Sequence, residues 1–380
     1  MIGLSRLSGR LYLGRGAVAL LVPLISVALA LLTVALLLLL IGANPVEAFA
    51  SMMRAALGDP FAISTTVVKA VPRLVAALGI AFAIRAGLWN IGAEGQIYVG
   101  GVAATAVVLL APELPFPVIP ALALVAGVVA GGAWGAIPGI LRAWRGISEV
   151  ITSLMLVYVA IQVTRYMLEV PWAVPRSTFP ATEVFGAYAR LPVIVPGTLL
   201  NLGAVLALGA VAIAWLVVDR TRFGLDVRAL GGNETASRFA GIPVRRMIVL
   251  VMAVSGAFAG LAGGIEVLGV RGRLIEGFSP AYGFEAIAVA LLGRLHPVGI
   301  TGAALLFGAL DAGGAGLQTS ARGVSSSIVQ IAAGLSVGYV LIGLGINDRL
   351  RERRRAAQAL AEREQMAESG SERPVGEVGT

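Results

Sequence analysis

Apolar runs long enough to cross a bilayer recur along almost the whole chain, and no other feature narrows the possible folds as far. The first runs from Ala17 to Gly42. Others cover roughly 62–84, 90–111, 117–141, 150–168, 198–218, 247–269, 277–293, 298–315 and 325–346. About twenty apolar residues span the hydrocarbon core as a helix. Lipid cannot bond a free N–H or C=O, so such runs become helices. The expectation is an all-α polytopic membrane protein with about ten transmembrane helices. Composition agrees, since 58% of the 380 residues are hydrophobic and only 13% are charged, against about a quarter in a soluble domain. The first run could pass for a signal peptide, because Arg6, Arg10 and Arg15 precede it and Ala48-Phe49-Ala50 resembles a cleavage site. It is far longer than the ~7–15 apolar residues of a signal, so it reads as a retained span.

Loop charge orients the spans. With the N-terminus inside, the inside loops hold Arg142 and Arg145, then Arg220, Arg222, Arg228, Arg238, Arg245 and Arg246, then Arg294 and His296. The tail, with Arg349, Arg351, Arg353, Arg354 and Arg355, also falls inside. This asymmetry obeys the positive-inside rule. Residues 1–16 then form a cytoplasmic N-terminus, 17–346 the transmembrane domain and 347–380 a cytoplasmic charged tail. Within the domain, 219–246 is the longest inside loop. Residues 170–197, with Pro171, Pro175, Pro180, Pro192 and Pro196, form an irregular outside loop. Lys69 and Arg73 interrupt the run 62–84.

A faint internal repeat accompanies this map. Gly146-Ile147-Ser148-Glu149 opens one span from inside, and Gly323-Val324-Ser325-Ser326 opens the last from outside. Gly92-Ala93-Glu94-Gly95 has a counterpart in Gly283-Phe284-Glu285-Ala286. Spans 2–5 and 7–10 would then be inverted copies, as in many transporters with a site near the midplane.

Several classes of chemistry are disfavoured. A net charge of +8 is what inside loops require and does not point to nucleic acid. There is no cysteine and one histidine, His296, so a disulfide, a thiol nucleophile or a His/Cys metal site is not expected. Lys69 is the single lysine and follows no glycine-rich loop, so the chain has no phosphate-binding loop of the motor type. Glu94 and Glu285 could make a carboxylate pair, but no nucleophile or metal-ligand set accompanies them. No catalytic residue is assigned.

Three stretches carry unusual chemistry for such a chain. Arg85–Gly101 places Trp89, Asn90, Glu94 and Gln96 among Gly87, Gly92 and Gly95. Polar groups at membrane depth face a bundle interior or a water-filled cavity, and glycines beside them suggest a broken helix. The stretch either lines a solute path or satisfies helix ends, and Glu94 could equally bond the amides at a half-helix N-terminus. Ser279–Pro297 places Tyr282 and Phe284 beside Glu285, an aromatic face with an acceptor that suits a planar polar ring; ordinary helix packing is the alternative and, for the aromatics alone, the preferred reading. In the inside loop, Asn233 is a good N-cap for a short helix, Glu234 is acidic at its start, and Gly241 with Pro243 stops it. Such a helix either lies on lipid or docks another protein.

At this loop the chain resembles a known family. The pattern Gly-Asn-x-x-Ala-x-x-x-x-Gly-Ile over Asn233, Glu234, Ala236, Gly241 and Ile242 is similar to the coupling loop of ABC-importer permeases of the branched-chain amino acid/ribose type. The string Asn90-Ile-Gly-Ala-Glu94-Gly-Gln96 resembles the signature of their sugar/nucleoside branch. Ser148-Glu-Val-Ile, Ser255-Gly-Ala-Phe-Ala-Gly and Gly283-Phe-Glu285-Ala also match, with Glu285 where Asp is usual. The resemblance covers roughly Gly58 to Gly345.

It implies a nucleoside permease in the plasma (bacterial inner) membrane, with no ATPase and no cofactor of its own. ATP and magnesium would be handled by a cytoplasmic ATP-binding subunit gripping the helix Asn233–Gly241. A second homologous permease, as a heterodimer, and an external solute-binding lipoprotein would complete the system. A permease for ribose-like sugars is the nearest alternative. An ion-coupled secondary transporter acting alone is the alternative from another class.

Overall fold

A computed structural model of the chain describes residues 31–40, 42–112, 114–175 and 179–320, with single positions beyond them (25, 28, 29, 331, 334, 335, 338, 339 and 342). Val34–Ala333 forms one compact unit. The other unit joins Met1–Thr33 to Gly334–Thr380, and within it Thr33 and Tyr339 share a hydrogen bond of 3.0 Å.

The larger unit is helical. Its elements are α1 (Pro45–Leu57), α2 (Pro60–Arg85), α3 (Ala93–Leu110), α4 (Val118–Arg145), α5 (Glu149–Glu169), α6 (Leu202–Arg220), α7 (Arg222–Gly232), α8 (Glu234–Phe239), α9 (Val244–Ile265), α10 (Tyr282–Leu292) and α11 (Pro297–Ser320). A π-helical turn, Glu266–Arg271, prolongs α9. Among the described residues, seven helices are long and apolar enough to cross a membrane: α2, α3, α4, α5, α6, α9 with its π turn, and α11. The chain is a multi-pass membrane protein.

Two sequence expectations shift. The span expected over 277–293 is an 11-residue helix beginning at Tyr282. Gly272 and Gly277, both at positive φ, mark the irregular stretch before it. The segment after the first predicted span holds α1, started by Pro45 at N1 and by Asn44, whose side chain accepts from Val46 N. Of the first predicted span, 31–40 is an apolar helix. The last, 325–346, lies outside the described residues except at single positions.

The helices adhere through small residues. Lipid tails are as apolar as leucine, so close backbone approach does the work. The most extensive helix contact is between α4 and α9. At its centre an added Cβ on Gly260 would strike the carbonyl oxygen of Gly127 and crowd Gly131. Gly260→Ala is therefore expected to destabilise by about 1–3 kcal/mol, the usual size of overpacking. Gly302→Ala, in open space on α11, should not. Melting of the two variants in detergent checks the contrast.

Contacts group the helix termini at two ends. At one end α2 finishes against α7, where Gly87 abuts Gly231. Arg85 Nη2 there donates to Leu295 O at 2.8 Å, in the turn between α10 and α11. At the other end the irregular chain between α5 and α6 covers the π turn and the stretch after it. Thr182 N donates to Leu274 O (2.9 Å), Phe185 N to Gly272 O (2.8 Å) and Leu191 N to Leu268 O (3.1 Å).

Candidate functional site

Two broken helices meet inside the bundle. α2 ends in a paired turn about Gly87, with Gly87 N bonded to Ile84 O at 3.0 Å and Leu88 N to Ala83 O at 2.9 Å. Gly87 has φ +75, a conformation glycine adopts without strain. Residues 86–92 then run without helix until α3 starts at Ala93. From the opposite end, 272–281 descends without helix until α10 starts at Tyr282. The two helix starts touch, since a Cβ on Gly283 would collide with Glu94 N. Glu94 is buried, and its Oε2 accepts from Gly283 N at 2.6 Å. A carboxylate there complements the helix dipole and the unbonded amides of the first turn.

Asn90 and Gln96 close on each other. Asn90 Nδ2 donates to Gln96 Oε1 at 2.8 Å and to Ser255 Oγ at 2.8 Å. Gln96 Nε2 and Gly92 N each donate to Asn90 Oδ1 at 3.1 Å. All three side chains are buried. They tie the irregular 86–92 segment to α3 and to the middle of α9. Trp89, next in sequence, is exposed. Asn90→Ala would leave Gln96, Ser255 and an amide short of partners, at about 1–3 kcal/mol. Its melting temperature is expected to fall well below that of Trp89→Ala.

Of the second polar constellation, sequence had singled out Tyr282 and Glu285 as site residues, but not Arg73, Lys69 or Asp311. Arg73, in the middle of α2, is 3% exposed. Its Nε pairs with Glu285 on α10, and its Nη2 with Asp311 on α11 at 2.9 Å. Nη1 donates to Lys69 O at 2.6 Å, and the guanidinium stacks on the Tyr282 ring, 4.5 Å from its centre. Lys69 Nζ completes the set with Asp311 Oδ1 at 2.9 Å. Two cations face two carboxylates, so the cluster is neutral. The signal in the sequence was Lys69 and Arg73, four apart on one helix face, together with a single acid in a predicted span. Tyr282 and Glu285 thus meet at Arg73, whereas Phe284 points elsewhere and is exposed. Glu94 and Arg73 grip the first turn of α10 from two sides.

At the α7 end, α8 stands clear of the bundle. Asn233 Oδ1 accepts from Ala236 N at 3.0 Å, Arg238 pairs with Glu234 at 3.2 Å, and Gly241 stops the helix at φ +83. Phe239 is 89% exposed. The base is anchored. Ile242 and Phe223 pack on a buried cluster of Val227, Leu230, Met247, Val251 and Leu88. A rigid apolar block therefore connects the α8 base to the segment that carries Asn90.

A bundle of apolar helices with an exposed end-helix and broken helices inside suits a membrane permease, and among the described residues no group of side chains could hold a metal ion. The chain belongs to the family described as branched-chain amino acid transport system / permease component, whose model matches residues 62–345. It is 37% identical over 333 residues to the guanosine ABC transporter permease protein NupP of Bacillus subtilis, covering 84% of this chain and 92% of that one. It is 35% identical over 329 residues to the glucose ABC transporter permease protein TsgB13 of Haloferax volcanii, covering 84% and 86%. It is 33% identical over 331 residues to the nucleoside ABC transporter permease protein NupB of Lactococcus lactis subsp. cremoris, covering 85% and 90%. Membership and the apolar helices together assign it to the plasma membrane as a multi-pass protein.

Proposed function

We propose that this chain is a membrane-spanning subunit of an ATP-driven importer and that its solute is a nucleoside. The observation that carries the importer reading is α8, a capped helix exposed on nearly every side yet rooted in the core. An ATP-binding subunit that grips α8 moves the Leu88–Asn90 segment, and with it the α3 and α10 starts. ATP and magnesium stay with that partner. A second, similar permease and an external solute-binding lipoprotein complete the assembly. The α8 end is cytoplasmic in this reading, because Arg142, Arg145, Arg220, Arg222, Arg228, Arg245 and Arg246 gather there. Both termini then lie inside around ten spans. The inverted repeat gains support from the two broken helices, which enter from opposite ends and meet at Glu94 and Gly283.

The nucleoside reading draws on NupP and NupB, whose names specify guanosine and nucleosides. It also draws on chemistry. The carboxylate of Glu94 already occupies the α10 start, and the Arg73 cluster is neutral, so an uncharged polar solute suits the interior better than an anion. TsgB13 favours a second reading, a simple sugar. Uptake of labelled guanosine in cells producing the whole importer separates the two. Competition by other nucleosides and not by free glucose or ribose is expected. Competition by free sugars alone would overturn the nucleoside reading.

A further inference from the structure

The Arg73 cluster is open on one side. Arg73 itself is sealed, but the side chains of Lys69 and Asp311 are 29% and 32% exposed. Both lie well inside, though not at the centre of, helices long and apolar enough to cross the membrane. Charged groups at that depth do not face hydrocarbon; they face protein or water. The pattern along α2 says where water enters. Phe61, Thr65 and Lys69, spaced by four on one face, are all at least partly exposed. From Ala70 to Ala83 every residue is buried. The line thus starts at the helix end remote from α8 and stops at the ion cluster. On α11, Asp311 and Ala315 form a second partly exposed line toward the same end. Past the first residue, Pro60, the other open positions in this half of α2, Ile63 and Val67, are apolar and lie on a different face.

We infer that Phe61, Thr65, Lys69 and Asp311 line a water-filled vestibule opening at the end remote from α8, and that the Lys69–Asp311 pair at its floor is the polar contact for the solute. Because positive and negative charges balance there, an ion of either sign finds no unmatched partner. The pair offers an ammonium donor beside a carboxylate acceptor. A vicinal diol, as in ribose, presents two hydroxyl donors to such a carboxylate. The ligand class is therefore an uncharged diol-bearing molecule, and this deepens the nucleoside reading and rests on it. Arg73 is a positioning residue, because each of its three guanidinium nitrogens already donates, to Glu285, Lys69 O and Asp311, and its face lies over Tyr282.

The absence of native cysteine makes the vestibule directly testable. Thr65→Cys and Val67→Cys are made separately in the complete importer and exposed to a membrane-impermeant thiol reagent. Labelling of Thr65→Cys and not of Val67→Cys is expected. Failure of Thr65→Cys to label, or equal labelling of both, would overturn the vestibule. The contact is tested by the maximal uptake rates of labelled guanosine and labelled 2′,3′-dideoxyguanosine, each at concentrations that saturate the solute-binding lipoprotein. In the wild type the dideoxy compound should be taken up at least about tenfold more slowly, because both hydroxyl donors to a charged group are lost. In Lys69→Gln/Asp311→Asn, which keeps the site neutral and leaves Arg73–Glu285 paired, that discrimination should vanish. Where this double variant is not recovered from the membrane, Asp311→Glu, which displaces the carboxylate, should show the same loss. Unchanged discrimination would overturn the contact. A wild-type importer that takes up no guanosine would strike the nucleoside reading, while the labelling contrast would still decide the vestibule.

Discussion

Replacing Asn233–Gly241 with a glycine/serine linker of equal length is expected to abolish uptake without unfolding the chain. The reason is the division of labour within the loop. Among the residues of α8, Ser237 alone is buried, so removing the helix removes almost no core. Ile242, the anchor, is kept. What is lost is a capped, rigid element bearing an exposed Phe239. Without it a partner has nothing stiff to push against, and motion of that partner no longer reaches Leu88 and Asn90 through the apolar block. The chain should still insert, elute as a single species in detergent and melt near the wild-type temperature. Uptake by the importer should fall to background. Preserved uptake would remove α8 from the transmission of force.

Arg73→Met should fail in the opposite way, through the fold. The substitution leaves Glu285 and Asp311 facing each other without the cation that bonds both. Breaking a buried pair by deleting one partner costs about 3–5 kcal/mol, a large share of the 5–15 kcal/mol typical of a folded domain. Loss of recoverable, monodisperse protein is expected. Arg73→Met/Glu285→Met should recover much of it, because replacing both members with apolar groups is often nearly neutral. Lys69 then still neutralises Asp311. Size-exclusion profiles and melting in detergent distinguish the single from the double variant. Equal loss in both would mean that the cluster is not organised around Arg73.

The polar strings were easier to find in the sequence than their roles. Gly87 and Gly92 around Asn90 announced a break in the helix, and Asn233 with Gly241 announced a short capped helix. Both signals are local, carried by caps and positive φ. The partners of the polar groups are not local. Asn90 meets Ser255 across 165 residues of chain, and Lys69 meets Asp311 across 242. Neither pairing has a periodicity to announce it. Lys69 and Arg73 therefore read as flaws in an apolar run, whereas in the structure they pair with Asp311 and Glu285. The length of α10 was hidden for another reason. The predicted span began at 277, and residues 277–281, Gly-Phe-Ser-Pro-Ala, carry no charge, so only Gly277, Ser279 and Pro280 mark the break before Tyr282.

The central claim, that this chain moves its solute by borrowing force from an ATP-hydrolysing partner, is most directly tested by reconstitution. The chain is placed in liposomes alone, and separately with its ATP-binding subunit, second permease and solute-binding protein. Guanosine uptake is followed with ATP or with an imposed proton or sodium gradient. Uptake only by the full assembly, and only with hydrolysable ATP, is the expected result. Gradient-driven uptake by the chain alone, without ATP, would contradict it.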